Sequence, residues 1–117
     1  MNTLKNKVNL IGRLGAKPTA QLFDSGAKKV RLSLATNERY KDKKGEWVDN
    51  TQWHNVIAWG KLCDRIEKVL DKGSEIVIEG RLVNRAYESK EGEKRFSTEI
   101  ELNDFMVLNP KKLESNQ

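Results

Sequence analysis

Residues 51–82, "TQWHNVIAWGKLCDRIEKVLDKGSEIVIEGRL", change their apolar period twice, and those changes decide the fold. Thr51 to Trp59 is rich in β-branched and aromatic residues, the composition of a strand. Leu62, Ile66, Val69 and Leu70 then fall at i, i+4, i+7 and i+8. That spacing is one face of a helix, and Gly73 after Lys72 predicts its stop. From Glu75 the period returns to two, with Ile76, Ile78 and Leu82 on one face and Glu75, Glu79, Arg81, Arg85 and Tyr87 on the other. One short helix between two strands is the expectation.

Alternation governs the chain on both sides of this stretch. Val8 and Leu10 alternate with Asn9 and Ile11, and Val30, Leu32 and Leu34 with Lys29, Arg31 and Ser33. Phe96, Ile100 and Leu102 are interleaved with Arg95, Ser97, Glu99 and Glu101. Each run reads as a half-buried strand. "FDSGAK" (23–28), "DKKGEW" (42–47) and "SKEGEK" (89–94) each set a glycine among polar residues and predict turns joining antiparallel neighbours. The resulting order, β-β-β-α-β-β, is all-β: it is expected of an OB-fold, a five-stranded Greek-key barrel with one helix between strands 3 and 4. A different small barrel shares this order, so the order locates a site without naming its ligand. The barrel is expected over 1–108, and "NPKKLESNQ" (109–117), which has no periodicity, as a short flexible tail.

The 117 residues suit one domain. No apolar run is long enough for a membrane span or a secretory signal, and a single cysteine, Cys63, excludes an internal disulfide. A cytoplasmic, nucleoid-associated protein with no membrane partner is expected. Residues 1–60 carry 11 Lys+Arg against 5 Asp+Glu, while residues 61–117 carry 11 against 12. The basic excess lies in the first half, where it would concentrate a polyanion.

Catalytic constellations are missing from the sequence. There is one His, one Cys, no phosphate-binding glycine loop and no paired-ligand metal spacing, so neither catalysis nor a metal or other cofactor is expected. The aromatics say more. Strand parity puts Trp53, Asn55, Ile57 and Trp59 on one face and His54, Val56, Ala58 and Gly60 on the other. Parity alone leaves the two tryptophans open between a core role and an exposed one. Their neighbours favour exposure: Tyr40 follows Arg39 in the basic hairpin "NERYKDKKGEW", with Lys41, Lys43 and Lys44 around it and Trp47 on the far arm, and Tyr87 shares a face with Arg81 and Arg85. Rings among cations suit a single-stranded nucleic acid, whose phosphates follow the charges and whose bases stack on the rings.

At these residues the sequence resembles the bacterial single-stranded DNA-binding protein (SSB) family. The resemblance is carried by "NKVNLIGRLG" (6–15), "LATNERY" (34–40), "TQWHNVIAWGKL" (51–62), "LDKGSEIVIEGRL" (70–82) and "NRAY" (84–87). It implies an OB-fold homotetramer built from dimers that binds single-stranded DNA without sequence preference in replication, recombination and repair. Carried over by position, it implies base stacking by Tyr40, Trp53, Trp59 and Tyr87 and phosphate contacts by Lys61, Lys72 and Arg85, which Arg39 and Lys43 would join. It places Lys7, His54 and Glu79 at subunit interfaces. Two departures stand out: Lys17 precedes Pro18 where the family often has an acid, and the chain ends "KKLESNQ" without the acidic tip through which many members recruit replication and repair proteins. An OB-fold adaptor of the replication-restart type and a single-stranded RNA binder are the alternatives.

Overall fold

The computed structural model describes residues 4–109. Its elements run β1 (Val8–Leu14), β2 (Thr19–Leu22), β3 (Lys28–Lys41), β4 (Trp47–Trp59), α1 (Lys61–Val69), β5 (Glu75–Glu88) and β6 (Lys94–Val107). Antiparallel ladders join β1 to β5, β5 to β6 and β3 to β4, and a short parallel contact, Val56↔Ile100 and Ile57↔Glu101, joins β4 to β6. The ring closes where β1 reaches β3 at Arg13↔Ala35 and Leu14↔Leu34. This is the expected five-stranded barrel, with α1 between its third and fourth strands, β4 and β5.

A sixth strand, β2, lies outside that ring and was not foreseen. The "FDSGAK" turn joins β2, not β1, to β3: Phe23 N–H donates to Ala27 O at 2.9 Å and Gly26 N–H to Phe23 O at 2.9 Å. All four residues of β2 are exposed, so no alternation of burial marks it. The helix also ends earlier than expected. Leu70 is already extended, its N–H capping Ile66 O at 2.9 Å, and Gly73, at φ 86°, belongs to the following turn and donates to Leu14 O at 2.9 Å.

The core is filled by alternate strand residues, among them Leu14, Val30, Leu32, Leu34, Val56, Ala58, Ile76, Ile78, Ile100 and Leu102, and α1 adds Cys63 and Ile66. Burial pushes the Cys63 thiol up from its ordinary pKa. Closing so small a barrel brings backbones close together. A Cβ on Gly12 would lie 2.2 Å from Ala35 O, so only glycine fits where β1 crosses onto β3. In β6 a bulge leaves Asn103 between the pairs Gly80↔Leu102 and Glu79↔Asp104. The extra residue reverses the side-chain parity, so Phe105 points inward along with Ile100 and Leu102.

Two arms rise from the barrel, because β3 and β4 beyond Ala35 and Trp53, and β5 and β6 beyond Gly80 and Ile100, pair only with each other. Each is stitched near its root by a threonine donating to an asparagine, Thr51 to Asn37 at 2.6 Å and Thr98 to Asn84 at 2.8 Å. Of the expected tail, Asn109 is described, and its Oδ1 accepts from Glu75 N–H at 2.7 Å. Residues 110–117 lie outside the described residues.

Candidate nucleic-acid interface

Cross-strand partners in an antiparallel ladder share a face, so the β3–β4 register sorts the side chains. Trp59, Ile57, Asn55, Trp53 and Trp47 stand opposite Lys29, Arg31, Ser33, Ala35 and Lys41 on the outer face. Val56 and Ala58, on the other face, are in the core. The question that parity left open is therefore settled: Trp53 is 61% exposed and Trp59 38%.

Each outer-face ring has a support. Trp59 stacks on Phe23, with centroids 5.9 Å apart and planes at 27°, and Lys29 Nζ lies 5.6 Å from its ring. Beside it an open groove is lined by Leu22, Ala27, Lys28, Gly60 and Lys61. Trp53 lies over Gly15, where a Cβ would come within 2.5 Å of its Cζ3. Trp47, 60% exposed, has Arg39 and Lys41 at 5.2 and 5.3 Å from its ring.

Ile57 departs from simple parity, since it shares the tryptophan face yet is fully buried. It lies between Arg31 of β3 and Glu101 of β6, where an ion-pair network crosses the face. Arg85 Nε donates to Glu99 at 2.8 Å, Arg31 lies 3.9 Å from the same carboxylate, and Arg81 meets Glu101 at 2.9 Å. Glu99 is only 7% exposed. Through this network the face continues to β5, where Tyr87 stands on the same side as Arg81 and Arg85 and is exposed.

Three of the four expected rings, Trp53, Trp59 and Tyr87, thus share one continuous face. Tyr40 is exposed, but it pairs with Val48 on the reverse face of the β3–β4 arm and does not join Trp53, Trp59 and Tyr87. Among the phosphate candidates, Lys61 opens α1 beside Trp59, Lys43 sits in the arm's turn, and Lys72 lies in the turn tied to Leu14, next to Gly15 in sequence. None of these three lysines forms an ion pair through its ammonium group among the described residues, although the Lys72 backbone N–H donates to Asp71 Oδ1 at 2.7 Å. Arg39 and Arg85 do, with Asp49 at 3.2 Å and Glu99.

Lys7 and Glu79 flank the start of β1, with Glu79 opposite Asn9. His54 lies apart from them, half-buried opposite Leu34, its Nε2 hydrogen-bonded to Thr36 Oγ1 at 3.0 Å. The sequence reading assigned no binding role to Phe23, Lys29 or Arg31, and it named Trp47 only as one ring of the basic hairpin. For Lys29 and Arg31 the signal was present, since they alternate with core residues of a strand that neighbours Trp59.

The displaced pKa values at the barrel ends belong to anchoring contacts. A hydrogen bond to Glu67, aided by Asp64 at 3.3 Å, holds Lys28 above the usual lysine range and ties β3 to α1. The Phe105 backbone N–H and then Arg65 hold Asp104 below the usual carboxylate range. Among the described residues no cluster of three or more His, Cys, Asp or Glu could hold a metal ion, and no helix is long and apolar enough to cross a membrane.

Residues 5–108 match the Single-strand binding protein family. The chain belongs to that family. A relative named Single-stranded DNA-binding protein 1 in Chlorobaculum tepidum is 43% identical over 91% of this SSB-family chain, which spans 66% of that relative's length. One of the same name in Xylella fastidiosa is 40% identical over 91% of the chain and 79% of its own length. Among solved structures, a Plasmodium falciparum SSB in complex with ssDNA superposes with a TM-score of 0.81 at 33% identity, covering 88% of this chain and 94% of that one. A deletion mutant of the single-stranded DNA binding protein from Thermus aquaticus gives 0.78 at 30% identity, covering 88% of this chain and 50% of that one.

Proposed function

We propose that this chain binds and protects single-stranded DNA without regard to sequence during replication, recombination and repair, and does so without catalysis. The observation that carries the reading is the outer face of β3 and β4, where exposed indoles alternate across the ladder with Lys29, Arg31, Arg39 and Lys41. Rings stack on any base, at about 1–3 kcal/mol each, and cations follow any phosphate, so the surface is built for affinity without base readout. Tyr87 extends the track to the second arm, and Lys61 and Lys72, whose ammonium groups make no ion pair among the described residues, supply cations at its margins. A strand reaching Tyr40 passes around the edge of the β3–β4 arm.

Self-association completes the proposal. Among the described residues the edge of β1 that faces away from β5 is unpaired from Val8 to Gly12, and its outer face, with β5 and β6, shows Ile11, Val77 and Met106 in one row, with Glu79 in the next row opposite Asn9 and Lys7 beyond it. An open strand edge and an apolar patch support a dimer and then a homotetramer. The working location is the cytoplasm, at the nucleoid.

Titration with poly(dT) is expected to quench tryptophan emission. With the six cations named above each meeting one phosphate, log affinity is expected to fall against log salt with a slope of about −4.2. Tight binding of duplex DNA with none of single strands would falsify the proposal.

A further inference from the structure

All three tryptophans lie on β4, at positions 47, 53 and 59, and therefore on one face at equal steps of six residues. Six residues of strand span roughly 20 Å. The step from Trp59 to Trp53 thus repeats once more and reaches Trp47 at the far end of the β3–β4 arm. Trp47 has no partner ring and lies on an arm that leaves the barrel, so core packing does not account for it. It is as exposed as Trp53 and carries two cations beside its ring, from Arg39 and Lys41.

We propose that Trp47 is a further base-stacking site, with Arg39 and Lys41 as its phosphate contacts, so that the track for single-stranded DNA runs the whole length of β4. The proposal rests on the single-stranded DNA reading and deepens it. Cations drawn toward the indole are placed where the phosphates of a stacked nucleotide would pass, and a base that stacks on the exposed ring takes the place of a cation at its π-face. Because a two-stranded ribbon twists more strongly than a wide sheet, Trp47 faces a different direction from Trp59. A strand that follows the three rings therefore winds around the arm, and the winding carries it toward the face that displays Tyr40.

The test uses the full chain. In the Trp53→Tyr, Trp59→Tyr double variant Trp47 is the only indole, and its emission is expected to fall when long oligo-dT is added. Trp47→Leu keeps apolar cover near the two cations but removes the flat ring. It is expected to weaken long oligo-dT binding by roughly 5- to 150-fold, with Trp47→Phe restoring much of the loss. Urea unfolding of each variant reports any loss of fold. Unchanged indole emission in a double variant that still binds labelled oligo-dT would overturn the proposal alone, as would parental affinity in Trp47→Leu. Failure of the parent chain to bind any single strand would overturn the functional reading and this proposal together.

Discussion

Gly15 is the floor under Trp53, and replacing it tests whether ring placement governs binding. A Cβ at position 15 would sit 2.5 Å from Trp53 Cζ3 and 2.6 Å from Cη2. Carbons meet at roughly 3.5 Å, so Gly15→Ala must push the ring outward by about 1 Å. The ring is 61% exposed and the displaced atoms are its far edge, so it can swing away at about 0.5–1.5 kcal/mol of rotamer strain. Against this, alanine restricts the unfolded chain and returns about 0.4–1 kcal/mol. The hydrogen bond from Gly15 N–H to Ser33 O, 3.0 Å, is a backbone contact that alanine retains. Net stability should therefore change by less than about 1 kcal/mol. Binding should change more, because a ring displaced from its floor must be reordered by the base that stacks on it. A loss of roughly half the stacking energy corresponds to about 3- to 10-fold in Kd. Anisotropy of labelled oligo-dT measures the affinity and urea unfolding the stability, with Trp53→Ala marking the full loss. If Gly15→Ala binds as tightly as the parent while Trp53→Ala is weakened, the floor is irrelevant and the reasoning fails.

Two further outcomes probe the charges. Glu99→Gln should lower stability by about 1–2 kcal/mol, since Arg85 loses a charged acceptor that is itself buried. It should also tighten single-strand binding at low salt and steepen the salt slope by about 0.7 for each arginine released to a phosphate; an unchanged slope would show that Arg31 and Arg85 already contact DNA or never do. For Lys28 the sign follows from a pKa raised by Glu67 and Asp64. Its contribution to stability is complete below the ordinary lysine value of about 10.4 and is lost as pH climbs through the raised folded value. Urea midpoints measured from neutral to strongly alkaline pH should thus fall less steeply at the alkaline end in Lys28→Met than in the parent, and equal slopes would rule out this coupling.

How far the sequence could be read depends on how far each residue's surroundings are local. The helix between Trp59 and Glu75 was legible because its period differs from that of every strand around it, and Trp53 and Trp59 were legible once Val56 and Ala58 were taken as core. Strand β2 was not, because four exposed residues leave no period. Parity along one strand also cannot report what crosses it. Ile57 shares the tryptophan face and is buried because Arg31 of β3 and Glu99 and Glu101 of β6 meet around it, a juxtaposition that exists only after β4 and β6 pair. Tyr40 shows the complementary point. Its basic neighbours say nothing of which face it takes, because the face is set by register: thirteen consecutive pairs from Lys29↔Trp59 to Lys41↔Trp47 put odd-numbered residues of both strands together and leave Tyr40 on the other side. The same register turns Trp47 from a bystander in a charged hairpin into the third ring of a regular series. Composition could find the aromatic residues, but only pairing could say which of them share one face.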